Sequence, residues 1–308
     1  MMDPTDWCYP SGVTAVLETF LLTPRAVAEL ADADELLSRA RRSPVYAGVH
    51  VPEGADPMQI AAALESALVA YIRPFAQDCP ERQIADVFLT EYALRDVSNR
   101  LKSQYCAAER HPVELSSLSE EELDAFIAAE PLLSEITDTL AEASHGGPGP
   151  IAASTVDLMI DGAFIAMLPQ LAEPLGSELV DRWAEARQRA TATEAALRAR
   201  IAGIEDSDVG EHLLGRLPPQ TAAAVLAEAE AFDSSGGPGS LQALAARHDA
   251  ELGRILEPAR YVAFGPERVF GYLWRLSGEN RNLRAALGGF AGQIEPELVA
   301  QSMRGTDG

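Results

Sequence analysis

The chain has 308 residues and carries 47 acidic against 24 basic side chains, a formal charge of −23. A repulsive field of that size excludes a nucleic-acid surface unless basic residues gather locally to overcome it. At this length ~75% of the unfolded surface can be buried. The composition is rich in Ala and Leu and poor in aromatics, without sustained alternation of Val, Ile and Thr, so it specifies an all-α chain.

In chain order, Trp7 to Tyr9 opens the text with aromatic residues and Pro10 interrupts the first predicted helix. Ser38-Arg39-Ala40-Arg41-Arg42 is one local basic cluster and Arg182 through Arg200 another. Both alternate with acids or alanines on predicted helices, the pattern of solvated faces and intramolecular pairs. The most apolar stretches are Ile60 to Ile72, broken by Glu65, and Leu158 to Leu168, short and broken by Asp161, so neither is expected to cross a bilayer. From Cys79 runs Pro80-Glu81-Arg82, then the apolar Ile84, Val87 and Phe88, then Asp96-x-x-Asn99 with Leu101-Lys102 behind it. Ser117 to Glu122 reads as a capping-box helix start and marks where a first unit gives way to a second, near residue 113.

Two glycine-proline stretches, His145 to Pro150 and Ser234 to Ser240, lack the Lys-Ser/Thr of a phosphate-gripping loop and read as connectors. Between them Leu179, Trp183, Ala186, Ala190, Leu197, Ile201 and Ile204 keep a helical period, with Gly203 placed to end it. Glu211-His212 with Arg216 reads as a surface ion pair rather than an acid-base pair.

The last long element is Phe264 to Gly292. Pro266 suits a first helical position, Glu267 favours the same end, and Gly288-Gly289 predicts the stop. Val269, Leu273, Leu276, Leu283 and Leu287 form an apolar stripe that Phe270 and Trp274 widen, so the helix is expected to be buried among neighbours. Arg275, Glu279 and Asn282 share the remaining edge at steps of four and three. Pro80-Glu81-Arg82 answers Pro266-Glu267-Arg268, and Asp96-x-x-Asn99 answers Glu279-x-x-Asn282. In the middle stretch Leu197-Arg198 answers Leu283-Arg284, but Thr193 and Ala196 stand where the acid and asparagine would be. The repeat predicts three related helical units, 1–112, 113–234 and 235–308.

These residues resemble the C-type central-stalk family of the rotary V/A-type (vacuolar/archaeal-type) ATPases, whose vacuolar homologues are called d-type. Gly265, Glu267, Val269, Tyr272 and Leu273, then Glu279, Asn282, Leu283 and Arg284, are similar to its G-x-E-x-[VI]-x-x-Y-L and E-x-x-N-L-R segments, the first three with a one-residue slip. Gly292, Pro296-Glu297 and Leu298-Val299 resemble its closing helix, and Tyr92, Asp96 and Asn99 its Y-D-x-x-N-[LI]-K element, with Arg100 and Leu101 departing from the usual order. The resemblance covers most of the chain, and its specific part is the last ~45 residues.

The resemblance implies three similar helical units around a pseudo-threefold axis, forming a funnel with a central cavity. It implies a non-catalytic coupling subunit of the central stalk, peripheral on the cytoplasmic face of the membrane. Its partners would be the central-shaft subunits and the proteolipid ring that moves protons or sodium ions, with no cofactor and with the membrane reached only through the ring. Tyr272, Glu279, Arg281, Asn282, Arg284, Asp96 and Asn99 are the candidate partner-interface residues. The acid-asparagine pairs also have a bland reading, in which Glu279 and Asn282 satisfy neighbouring helix ends or Arg275 and Arg284 inside the bundle.

Other readings fit less of the chain. A helical adaptor or scaffold unrelated to ATPases shares the composition and the repeats. An all-α enzyme would need a carboxylate site such as Asp157 and Asp161, one helical turn apart, but no third ligand lies near them in sequence. The five histidines are scattered without the i, i+4 spacing of a helical zinc site, and no GxSxG or Walker loop occurs, so no metal or catalytic residue is expected. Cys8, Cys79 and Cys106 are isolated thiols suited to a reducing compartment, and no charged-then-apolar leader opens the chain.

Overall fold

The computed structural model describes residues 4–29, 32–106, 118–146, 151–232 and 238–303. The expected unit boundaries at 112/113 and 234/235 lie outside the described residues, as do 147–150 and 234–237 of the two connectors. The chain is all-α, with no strand among the described residues. The helices are α1 (Cys8–Leu17), α2 (Pro24–Ala28), α3 (Ala33–Ala40), α4 (Pro57–Gln77), α5 (Asp86–Tyr105), α6 (Glu120–Ala129), α7 (Pro131–Gly146), α8 (Ala153–Ala172), α9 (Glu178–Ile201), α10 (Asp206–His212), α11 (Pro219–Ala231), α12 (Pro238–Leu256), α13 (Pro266–Ala291) and α14 (Pro296–Ser302).

Local chemistry sets many of the ends. Asp56 caps α4 and forms a reciprocal capping box with Gln59 ahead of Pro57, and Ser119 does the same with Glu122 at the start of α6. Gly203 closes α9 in the left-handed conformation at φ 71°, its N–H donating to the Arg200 carbonyl at 3.0 Å while Ile204 N–H reaches Ala199 at 2.9 Å, a Schellman arrangement.

The chain divides into two compact units: Met1–Leu89 with Ala172–Trp183 and Ala246–Gly308, and Thr90–Leu171 with Ala184–Ala245. The first is built on α13, which at 26 residues is about 39 Å long. It packs along α4 and also touches α1, α2, α3, α14 and the 3₁₀ turn Glu257–Tyr261. The apolar stripe behaves as its spacing predicts, since Val269, Leu273, Leu276, Leu283 and Leu287 are all fully buried. Phe270 packs against Phe88 in a tilted pair at 4.9 Å and meets Trp183 edge-on at 4.8 Å, forming an aromatic cluster.

The expected stop at Gly288-Gly289 is corrected. Helix α13 runs through both and is capped at Gly292. The glycines serve close approach instead: a Cβ on Gly289 would lie 2.4 Å from Val299 Cγ2 on α14, and one on Gly288 would lie 3.6 Å from Pro57 Cβ.

In the second unit Leu158 and Ile165 of α8 pack on Ala192, Ala195, Ala196 and Ala199 of α9 and on Val209, Leu213, Val225 and Ala229. The alanines let the backbones approach, and Gln188 Nε2 donates to the Ile165 carbonyl across the gap at 2.6 Å. Asp161 does not break α8. With the following turn, Ala153–Leu175 is a 23-residue stretch of mean hydropathy 1.3, long and apolar enough to cross a membrane. It has the anatomy of a core helix, since 61% of that window is buried and the two acids inside α8 are neutralised by neighbouring helices: Asp161 pairs with Arg198 at 2.7 Å and Asp157 with Lys102 at 2.5 Å, while Glu173 stands in the exposed turn after it.

Candidate functional site: the polar anchors of α13

The specific part of the resemblance lies mostly on α13, and the polar residues of that helix hold several pieces of the first unit. Before the helix begins, Gly265 N–H donates to Ser11 Oγ on α1 at 3.3 Å. In the first turn Glu267 accepts from Ser177 Oγ at 2.7 Å. Arg268 in the same turn and Arg275 two turns along both grip the carboxylate of Glu18, in the 3₁₀ turn that follows α1. Next, Glu279 Oε1 accepts the backbone N–H of Leu22 at 2.6 Å, and Asn280 Nδ2 donates to the Leu64 carbonyl of α4 at 2.8 Å. Arg281 pairs with Asp249 of α12 at 2.8 Å, and Arg284 pairs with Glu65 of α4.

Most of this polar set is dry. Tyr272, Glu279, Asn280, Asn282 and Glu65 are all at or below 3% exposed. Burial pushes the Tyr272 phenol up, with its hydrogen-bonding neighbour Tyr71 adding to the effect. Burial likewise pulls the Arg284 and Arg275 guanidiniums down, Glu18 opposing it for Arg275. Glu279 is pushed up to about 8 by burial, against the stabilising N–H of Leu22, and its Oε2 has no hydrogen-bond partner among the described residues. With Glu65 buried and Arg284 half-buried, the pair ties one turn of α4 to one turn of α13, and taking away the arginine alone would strand a buried carboxylate.

Of the candidate interface residues, Tyr272, Glu279, Asn282 and Asp96 are buried, while Arg281, Arg284 and Asn99 keep half-buried side chains. Glu279 and Asn282 belong to the first unit and Asp96 and Asn99 to the second. The intrahelical pairing of Glu279 with Arg275 or Arg284 does not occur, because each arginine takes an acid from another segment. Sequence reasoning missed those acids, Glu18 and Glu65. Glu65 had a signal, since a lone acid inside an apolar helical run needs a buried cation.

Chemistry elsewhere is occupied by structure. Asp157 accepts from Ser98 at 3.0 Å besides pairing with Lys102, so Asp157 and Asp161 are each committed to a cation. Among the described residues no group of three His, Cys, Asp or Glu is placed to hold a metal ion. Arg216 reaches Glu135 on α7 at 3.0 Å rather than Glu211, and the two share an open polar cleft of about 280 Å³ with Thr139, Glu211 and His212.

The surface of the first unit has two groups of exposed apolar residues. Tyr9, Val16 and Phe20 lie on and just after α1, with Tyr261 and Phe264 in the segment leading to α13; Tyr261 is 84% exposed. At the other end, Ile294 and Leu298 flank and occupy α14, and Met58 sits in the first turn of α4. No protein-family model matches the chain, and no curated protein matches it.

Proposed function

We propose that this protein is the central-stalk coupling subunit of a rotary V/A-type ATPase or ATP synthase, a non-catalytic part that links the rotating shaft to the proteolipid ring. The observation that carries the reading is the placement of G-P-E, Y-L and E-x-x-N-L-R around one helix whose polar residues fasten α1, α4, α12 and the link before α2. A coupling must resist twisting without a reacting group. Close packing supplies that stiffness, because a protein interior is as dense as an organic crystal and deforms little. Buried charge pairs and single-donor contacts add registry, which holds helices at fixed relative rotation.

In this reading the chain forms three helical units, 1–112, 113–234 and 235–308, around a pseudo-threefold axis with a central cavity, and sits peripherally at the cytoplasmic face of the membrane. The half-buried Arg281 and Arg284 and the exposed apolar groups at the two ends of α13 are the surfaces available to the shaft and the ring. The acidic surface repels anionic lipid headgroups and keeps the protein on the ring rather than on bare membrane.

Affinity isolation of the tagged chain from its own cells in mild detergent tests this, with the partners identified by mass spectrometry. Proteolipid and nucleotide-binding subunits should be recovered in stoichiometric amounts. Recovery of a folded, helical chain with neither, or with a complex that contains no ATPase subunit, overturns the assignment and leaves an adaptor role.

A further inference from the structure

The segment from Leu21 to Thr23 joins the turn after α1 to α2, and its two ends are fixed. Upstream, Glu18 is gripped by Arg268 and Arg275. Downstream, Thr23 Oγ1 caps α2 by accepting from Ala26 N–H at 3.1 Å. Between these anchors, the link is seated on α13 by the hydrogen bond from Leu22 N–H to Glu279 Oε1.

Glu279 is an unusual seat. The side chain is 3% exposed, its second oxygen is buried without a partner, and no cation pairs with it among the described residues. The charged groups on the elements packed against α13 are engaged elsewhere or exposed. Arg275, one turn earlier, is held by Glu18, and Arg284 by Glu65 of α4. Arg25 and Glu29 pair with each other at the surface beside α2, as do Glu35 and Arg39 on α3. Asp34 of α3, Arg260 of the 257–261 turn and Glu297 of α14 are exposed, and Tyr71 of α4 bonds Tyr272 at 3.4 Å. A charge on Glu279 therefore has one N–H to stabilise it and a dry wall on the other side, which burial makes costly. The charge becomes tolerable only when water reaches the carboxyl, and the non-helical Leu21–Thr23 link is the backbone bonded directly to it.

We infer that the Glu279–Leu22 contact is a proton-operated latch: the neutral carboxyl keeps the Leu21–Thr23 link seated on α13, and release of its proton to solvent unseats the link together with α2. This device is independent of the coupling role. It would let mild alkalinity loosen the edge of α13 without disturbing α4.

Hydrogen–deuterium exchange of the full chain between pH 6 and pH 9.5, with rates divided by the intrinsic amide rate at each pH, reads the latch directly. Peptides covering residues 21–28 should lose protection by tenfold or more between pH 7 and pH 9, while those covering 60–72 hold theirs. E279Q, which keeps an acceptor for Leu22 but cannot ionise, should remain protected over the whole range. The wild-type chain alone provides a second reading, since the carbon-13 titration of the Glu279 carboxyl should share its midpoint with the loss of protection. Protection that is independent of pH in the wild type, that falls equally in E279Q, or that falls at a midpoint unrelated to the carboxyl titration overturns the latch.

Discussion

A Cβ added to Gly162 would lie 2.0 Å from the carbonyl oxygen of His212, which makes this the tightest backbone approach at any glycine described in the second unit. Helix α8 passes against the end of α10 with no room for a side chain, and the obstacle is backbone, which cannot rotate aside. Gly162→Ala gains up to about 1 kcal/mol of helix propensity but forces α8 and α10 apart, an overpacking cost of about 1–3 kcal/mol. The cost wins, and the urea midpoint should fall. Gly278 in α13 meets nothing within 4 Å at the same position. Gly278→Ala should therefore raise the midpoint, and if both substitutions shift it in the same direction the close approach at Gly162 is wrong.

Glu65 and Arg284 give the second prediction. Glu65 is buried, while Arg284 keeps 29% of its side chain exposed. Removing the acid leaves a guanidinium that is part-way to solvent, so Glu65→Ala should cost about 3 kcal/mol, the low end for breaking a buried pair. Replacing both partners with apolar residues of similar volume, Glu65→Leu with Arg284→Met, should recover most of that loss. A double-mutant cycle by denaturant unfolding measures the coupling. A double variant no more stable than Glu65→Ala alone would show that the pair does more than neutralise itself.

The same pair shows how far the sequence reaches. Periodicity identified α13 and its buried stripe because a face is a local property, repeated every three to four residues. Partners are not local: Glu65 lies 219 positions from Arg284, and in the sequence it registers only as an interruption in an apolar run. Gly288-Gly289 misled for the same reason. A glycine pair usually ends a helix, but a backbone hydrogen bond needs no Cβ, and contact with α14 at Gly289 makes glycine the residue that fits. Gly203 was legible because its role, closing α9 in a left-handed turn, is complete within six residues. The candidate residues Glu279 and Asn282 were found, but their burial came from neighbours that the pattern could not name.

Glu279 makes stability depend on pH with a defined sign. Its folded-state value, about 8, lies above the ordinary 4.5, so the fold favours the protonated form. The contribution is fully present below about pH 4.5, is lost as pH rises towards 8, and is gone above it. In Glu279→Gln that dependence disappears. The difference in unfolding free energy between the variant and the wild type should be flat in acid, grow across this window, and level off on the order of a few kcal/mol in the variant's favour. Urea titrations of both proteins at pH 5, 7 and 9 measure it. A constant difference at the three pH values would mean that the carboxyl is hydrated in the fold.

Gly289 and Val299 supply the last prediction, because α14 has only seven residues and a helix that short holds its shape by packing rather than by propensity. Val299 is β-branched and stiff in a helix, so a methyl group on Gly289, 2.4 Å from its Cγ2, cannot be met by a small side-chain rotation. Gly289→Ala should leave α13 intact, or slightly firmer, and lift α14 from it, raising hydrogen exchange across residues 296–302 severalfold. Val299→Ala removes the clashing methyl groups at the cost of some contact. The double variant should then exchange more slowly than Gly289→Ala alone, a reversal that only direct contact between the two positions produces. Exchange at 296–302 that is unchanged by Gly289→Ala would mean that α14 docks elsewhere than on the glycine face of α13.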